Sequence, residues 1–217
     1  EPPRRLDRRF FDTFDWRLYS AGRVLEEERS GRVRRLVLRG VGASEPLRTV
    51  PGARVPRFAR NLSEVDPLRE ELAPLTGIRA LLPVGRIRST ARMLRVLDDE
   101  AKTLVRVLLE EGACETRGSG SGPEARWVRL LPVKGYDQAL ARVRRMLEHD
   151  LGLEPLAEDP VVLAARALGR VPGDYSSKLD YRLDPGQRAD AAARTIHLGL
   201  LDTLEANVEG ARADLDS

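Results

Sequence analysis

The side chains of this sequence that can do chemistry are arginines and carboxylates. Arg86, Arg88 and Arg92 fall on one parity of an apolar run, with Ile87, Ala91 and Met93 on the other. On an extended chain the three guanidinium groups share one face, and such a basic stripe suits phosphate because each guanidinium presents a planar fork of donors. Asp12 and Asp15 can be proposed as paired acids, although two acids bracketing a strand-to-helix corner more often cap its free amides. Glu26-Glu27-Glu28 offers three adjacent oxygen ligands, a pattern that ordinarily marks a solvated turn or edge. His149 and His197 sit on separate helical segments, and Cys114, the one cysteine, has no histidine near it in sequence. A single cysteine excludes an internal disulfide and a cysteine-built zinc site. There is no P-loop, no Rossmann glycine fingerprint and no convincing Ser-His-Asp spacing.

A chain of 217 residues with 41% hydrophobic content can hold one domain with a real core plus a smaller appendage. Its 37 basic and 34 acidic side chains leave a net charge of +3, so the whole chain is no electrostatic binder of nucleic acid, and a basic function must come from local clustering. Lys102, Lys134 and Lys178 are the only lysines. The arginine bias fits phosphate recognition and equally a GC-rich genome. No run approaches the ~20 apolar residues of a membrane helix and the start lacks a signal-like apolar core, so a cytoplasmic location is expected. The start at Glu1, without Met, is what a fragment would show.

The elements that must position these residues can be read in order. Arg9-Phe10-Phe11 ends a strand, Asp12-Thr13 turns, and a short helix follows with Trp16, Leu18 and Tyr19 as an apolar wedge and Gly22 as its stop. Two strands then meet at Arg29-Ser30-Gly31. Residues 43–63 are broken by Pro46, Pro51, Gly52 and Pro56, leaving at most a short edge strand near Arg57 and Phe58. A helix over Ser63–Leu75 takes Ser63 as cap, and Ile78–Leu97 reads as one long strand or two. Thr103–Leu109 alternates Val105, Val107 and Leu109 against Lys102 and Arg106, predicting a sheet with one greasy and one charged face. Gly118–Pro123 makes a hairpin tip, Arg126–Val133 a strand, Tyr136–His149 an amphipathic helix, and Asp159–Leu168 a helix capped by Asp159 with Pro160 at its first position. From Gly186 to Leu215 apolar residues step by three and four, giving one long helix whose stripe needs a partner.

This order resembles the CYTH domains, the triphosphate tunnel fold. The residues that carry the likeness are the Asp12-Thr13-Phe14-Asp15 corner with its helix and Gly22, and a basic residue near the end of the next hairpin, Arg39. The Arg-rich long strand, Gly135-Tyr136-Asp137 before a helix, and Ser177-Lys178 add to it. The last helix, with Ala191-Ala192-Ala193 and Leu204-Glu205-Ala206-Asn207, resembles the opening helix of CHAD domains, which are linked to polyphosphate. The resemblance implies an α+β fold, an antiparallel β-barrel or tunnel with flanking helices over 1–182, followed by the first helix of a CHAD-like domain over 183–217.

In active members of that family tunnel glutamates hold divalent metal, and Lys and Arg hold the triphosphate, an arrangement that phosphoryl transfer to water requires. Here the first-strand Glu-x-Glu-x-Lys signature has no match in Glu1–Arg9, as if trimmed or never present. The Leu-Arg-x-Arg strand reads Val24-Leu25-Glu26-Glu27-Glu28, Arg106 stands where a glutamate is expected, with Glu110 near the Asp position, and the late acidic strand reads Trp127-Val128-Arg129-Leu130-Leu131. The resemblance therefore implies a degenerate domain without catalytic residues or cofactor. Such a domain is expected to hold polyphosphate or another phosphate-rich anion through Arg39, Arg86, Arg88, Arg92, Arg106, Arg129 and Lys178, or to act as a scaffold. The alternatives are a magnesium- or manganese-dependent triphosphatase using Glu26, Glu28 and Glu110, with Asp7, and an interaction module in which the last helix pairs with the rest of a CHAD bundle or a second copy. No membrane and no specific nucleic acid is expected as a partner.

Overall fold

Strict alternation over long stretches turns this sequence into one sheet. The computed structural model describes residues 2–63, 66–173 and 183–215. The strands described are β1 (Arg4–Asp12), β2 (Arg23–Ser30), β3 (Val33–Gly40), β4 (Pro46–Pro51), β5 (Leu82–Leu97), β6 (Thr103–Cys114) and β7 (Ala125–Pro132). They pair antiparallel in the order β4-β3-β2-β1-β5-β6-β7. The helices are α1 (Arg17–Ser20), α2 (Pro67–Thr76), α3 (Asp137–Arg145), α4 (Pro160–Ala167) and α5 (Ala189–Leu215). The expected α+β class, an antiparallel sheet with flanking helices, is what forms.

Register fixes which residues share a face. Arg8 stands opposite Glu28 and Ile87, Phe10 opposite Glu26, Glu110 opposite Ala91 and Trp127, and Leu108 opposite Arg129. On that face Arg129 of β7 and Glu28 of β2 are separated by β1, β5 and β6, roughly 19 Å in a flat sheet at about 4.8 Å per strand. Their side chains nevertheless approach to 3.5 Å. The sheet is therefore curled, and this face is its concave side.

The opposite, convex face is greasy in two patches. Leu25, Leu36 and Leu38 pack with Leu18 of α1 and Leu68 and Leu72 of α2. Val105 and Val107 pack with Val143, Leu140 and Ala139 of α3. Between β1 and α1 the Asp12 carboxylate accepts from the amides of Thr13, Leu18 and Tyr19, and Thr13 Oγ1 accepts from the Arg17 amide. Asp15 is bonded by Thr13 and paired with Arg17 and Arg79. Both acids thus serve the corner, which buries Trp16 and Leu18 and leaves through Gly22 at φ 70°.

Two local expectations are corrected. The edge strand is β4, whose Pro46 and Pro51 sit at its two ends where a missing ladder donor costs little, while Phe58 makes only a single bridge to Ala80. The cap of α2 is Asp66, which accepts from the Leu68 amide ahead of Pro67, rather than Ser63. By contrast Asp159 caps α4 as expected, accepting from the Val161 amide.

The chain divides into two compact units, Glu1–Asp174 and Tyr175–Ser217, with α5 in the second. Among the described residues no helix is long and apolar enough to cross a membrane.

Helix α4 lies against the concave side over β5. Gly85, opposite Phe10, is where the two backbones touch: a Cβ there would lie 2.6 Å from Ala164 Cβ and 2.9 Å from its carbonyl carbon. Gly85→Ala is expected to push α4 off the sheet and cost about 1–3 kcal/mol, read as a lowered denaturation midpoint. An unchanged midpoint would show that α4 is not docked there.

Candidate functional site

The concave face collects charge because alternate residues of five strands point into it. Arg8 is 1% exposed and donates to Glu110 at 3.0 Å, and Ser89 donates to the same carboxylate oxygen at 3.0 Å. Arg129 lies 3.2 Å from Glu110 and 3.5 Å from Glu28, whose other side is bonded by Arg35. Arg39 forks onto Asp159 at 2.6 and 2.8 Å, with Glu26 3.6 Å from its Nε, and the Gly42 amide donates to Asp159 at 2.7 Å. Asp159 thus ties the start of α4 to β3.

Burial and pairing pull these groups in opposite directions. Glu26 is pushed above its usual 4.5, because complete burial outweighs the pull of Arg39, Arg8 and Arg129 and the Glu28 charge adds to it. For Glu28 burial also disfavours the charge, but Arg129 and Arg35 prevail and hold it below the usual range. Asp159 is held low in the same way: burial is overcome by the Arg39 bonds and charge and by the amides of Val161 and Gly42. Four arginines (Arg8, Arg35, Arg39 and Arg129) face four carboxylates (Glu26, Glu28, Glu110 and Asp159), of which burial disfavours the charge on Glu26. Three donors here remain without a hydrogen-bond partner, Arg8 Nε, Arg129 Nε and Trp127 Nε1, while Glu26 Oε2 and Glu110 Oε1 are held only by the ion pairs with Arg39 and Arg129.

Of the basic residues singled out from sequence, the structure brings Arg39 and Arg129 together in this network. Arg106 shares the concave parity but is exposed, opposite Arg95. The stripe of Arg86, Arg88 and Arg92 lies on the other face, since its parity alternates with that of Ile87, opposite Arg8. There Arg86 bonds Asp7 at 2.6 and 2.8 Å and Glu115 at 3.2 Å, Arg88 pairs with Glu115 at 2.9 Å, and Arg92 is exposed. Lys178 lies outside the described residues. The glutamate run is not a solvated turn: Glu26 and Glu28 are buried on the concave face of β2, and only Glu27 points the other way.

Sequence reading missed Arg8, Arg35, Trp127 and the second role of Asp159. For Arg8 a signal was present: it shares a parity with Leu6 and Phe10 while Arg5, Asp7 and Arg9 alternate with it. The first strand is present as β1, and its concave positions read Leu6, Arg8 and Phe10. The metal that the resemblance implies does not fit these residues. Glu28 and Glu110 are engaged by guanidinium groups, burial favours neutral Glu26, and no group of three or more His, Cys, Asp or Glu among the described residues is placed to hold an ion.

A cavity of about 1110 Å³ adjoins the network. Arg8, Arg39, Glu110, Trp127 and Arg129 line it from the concave side, and the segment of residues 153–158 before α4 lines it as well.

No family model and no curated protein sequence matches the chain. Solved structures do. A candidate adenylate cyclase from Bacillus halodurans superposes with a TM-score of 0.52 at 12% identity, covering 73% of this chain and 81% of that one. A candidate adenylyl cyclase from Hippeastrum with a dominant triphosphatase activity superposes with a TM-score of 0.50 at 15% identity, covering 81% and 88%. At such identities the likeness is one of fold: the chain has the curled antiparallel half-barrel of the CYTH-like tunnel proteins.

The acid pairs carry a pH signature. A carboxyl held low by folding, such as Asp159, contributes stability above its unfolded value near 3.8 and loses it as the pH falls through the lower folded value. Asp159→Asn strands Arg39 and is expected to cost about 3–5 kcal/mol near neutral pH, the gap to wild type closing below about pH 4. For Glu26, held above 4.5, the sign reverses: ionisation opposes folding at higher pH, so Glu26→Gln is expected to be more stable than wild type near neutrality. Chemical denaturation across the acid-to-neutral range reads both, and a pH-independent Asp159→Asn deficit would sink the pairing.

Proposed function

We propose that the unit over residues 1–174 is a non-catalytic, CYTH-like domain that binds phosphate- or polyphosphate-type anions on its concave face. The observation that carries this reading is the set of donors without partners beside the cavity, Arg8 Nε, Arg129 Nε and Trp127 Nε1, set among four arginines. Guanidinium donors give charge-assisted bonds to phosphate oxygens and fork onto them in pairs. The anion competes with Glu110 and Glu28 for Arg129, so binding is an exchange of acceptors around a fixed guanidinium rather than the filling of a purely basic hole.

The engagement of Glu28 and Glu110 by arginines, with Glu26 buried beside Arg39, favours binding over hydrolysis. Phosphoryl transfer to water in this fold relies on metal to neutralise developing charge, and arginines occupy the carboxylates that would hold it. We further read α5 as the opening helix of a CHAD-like bundle. Its Leu198, Leu201 and Leu204 are exposed and recur at helical spacing, a face that bundle partners or a second copy would cover.

Calorimetry with tripolyphosphate, run beside an assay of phosphate release with magnesium or manganese, tests the domain reading. Binding without release above a heat-killed control is expected. Arg129→Ala is expected to weaken binding about tenfold or more, and Arg88→Ala to leave it within about twofold. Release above the control would establish the triphosphatase instead, and absence of binding would remove the anion site.

A further inference from the structure

The cavity is larger and greasier than an inorganic anion requires, and it does not stay on one face. β7 is an edge strand, and the cavity is lined by its concave residues Trp127 and Arg129 and also by Val128 and Leu130, which alternate to the convex side. Leu109 of β6 and Leu147, just beyond α3, continue the convex wall. The chain itself takes the same route, because α3 packs on the convex face and α4 on the concave face. The segment joining them, residues 151–159, therefore crosses from one face to the other, and residues 153–158 of it line the cavity together with β7.

That segment brings Leu153, Pro155 and Leu156 to the cavity. Leu153 is 41% exposed, Leu156 56% and Leu109 37%, large apolar side chains left open beside a cavity whose other end holds buried arginines. Cavities of several hundred Å³ with an apolar wall and few convergent polar groups are how small organic ligands are held.

Building on the anion site proposed above, we propose that the ligand is a phosphate or diphosphate ester of a hydrophobic alcohol. Its phosphate meets Arg8, Arg39 and Arg129 on the concave side, and its apolar chain rounds the edge of β7 beneath residues 153–156. Charge complementarity at one end and open leucines at the other select this occupant over a bare polyphosphate, which would leave the apolar wall wet. Burial of each methylene adds to affinity, whereas a chain of phosphates gains nothing from Leu109, Leu153 or Leu156. The cavity is also lined by Arg92, Arg126 and Arg144 and by Glu111, Glu148 and Glu154, of which Arg126 and Glu111 pair with each other at 2.6 Å.

Calorimetry on the full chain with three probes, inorganic pyrophosphate, geranyl diphosphate and geraniol, separates the parts. Geranyl diphosphate is expected to bind about tenfold or more tighter than pyrophosphate, and geraniol alone weakly. The double variant Leu153→Ser, Leu156→Ser, which alters only partly exposed side chains, is expected to bring geranyl diphosphate within about twofold of pyrophosphate while pyrophosphate itself is unchanged. Equal affinity of the two diphosphates for wild type would overturn the ester proposal and leave the anion site standing. Failure of both diphosphates would overturn the anion site and the proposal with it, and geraniol binding as tightly as its diphosphate would overturn the role of the arginines.

Discussion

The 3.5 Å approach of Arg129 on β7 to Glu28 on β2 is the constraint on which the rest of the architecture turns. Charges taken out of water must find partners, and here some of the partners are supplied by strands that are not neighbours, β1 with β6 and β7 with β2. Arg8 reaches across β5 to Glu110, and Arg129 reaches from β7 toward both Glu110 and Glu28. These bridges can be made only if the sheet curls, and once it curls the remaining alternate residues have nowhere to go but the concave space. The convex face then takes the leucines and valines under α1, α2 and α3.

The same pairing shapes what the face can do. A tunnel lined by free carboxylates would gather cations, and one lined by free arginines would gather anions. The concave face here lies between, with Glu28, Glu110 and Asp159 each engaged by arginine and with burial disfavouring the charge on Glu26. Arg8, Arg129 and Trp127, each with a donor that lacks a hydrogen-bond partner, line the cavity. Asp159 has two tasks, capping α4 and gripping Arg39, so the helix that covers part of the concave face is anchored by the charge system of the site itself.

Among the described strands the sheet has two edges, β4 and β7, and they are treated differently. β4 is short, with prolines at its ends, which blunts pairing with other chains. β7 shares a cavity with the segment that carries the chain from α3 to α4, and that cavity is lined by concave residues of β7 and also by its convex residues Val128 and Leu130. The cavity is therefore a product of the open edge, not of the barrel interior alone.

The sequence by itself determined the elements. Alternation over Leu82–Leu97 and Thr103–Leu109, the Asp12-Thr13 corner, the Asp159-Pro160 cap and the three-and-four stepping of the last helix were legible because each is set by residues within a few positions of one another. Proline-rich residues 43–63 and the cap of α2 were misjudged where competing local signals stood side by side. Only the tertiary structure decided which face is inside. Arg86, Arg88 and Arg92 form as regular a stripe as Leu6, Arg8 and Phe10, yet the first lies outside, neutralised in part by Asp7 and Glu115, and the second lines the concave face. The side of a strand that turns inward depends on where the helices pack and on ion pairs across four strands, as between Arg129 and Glu28, and no local spacing encodes that choice.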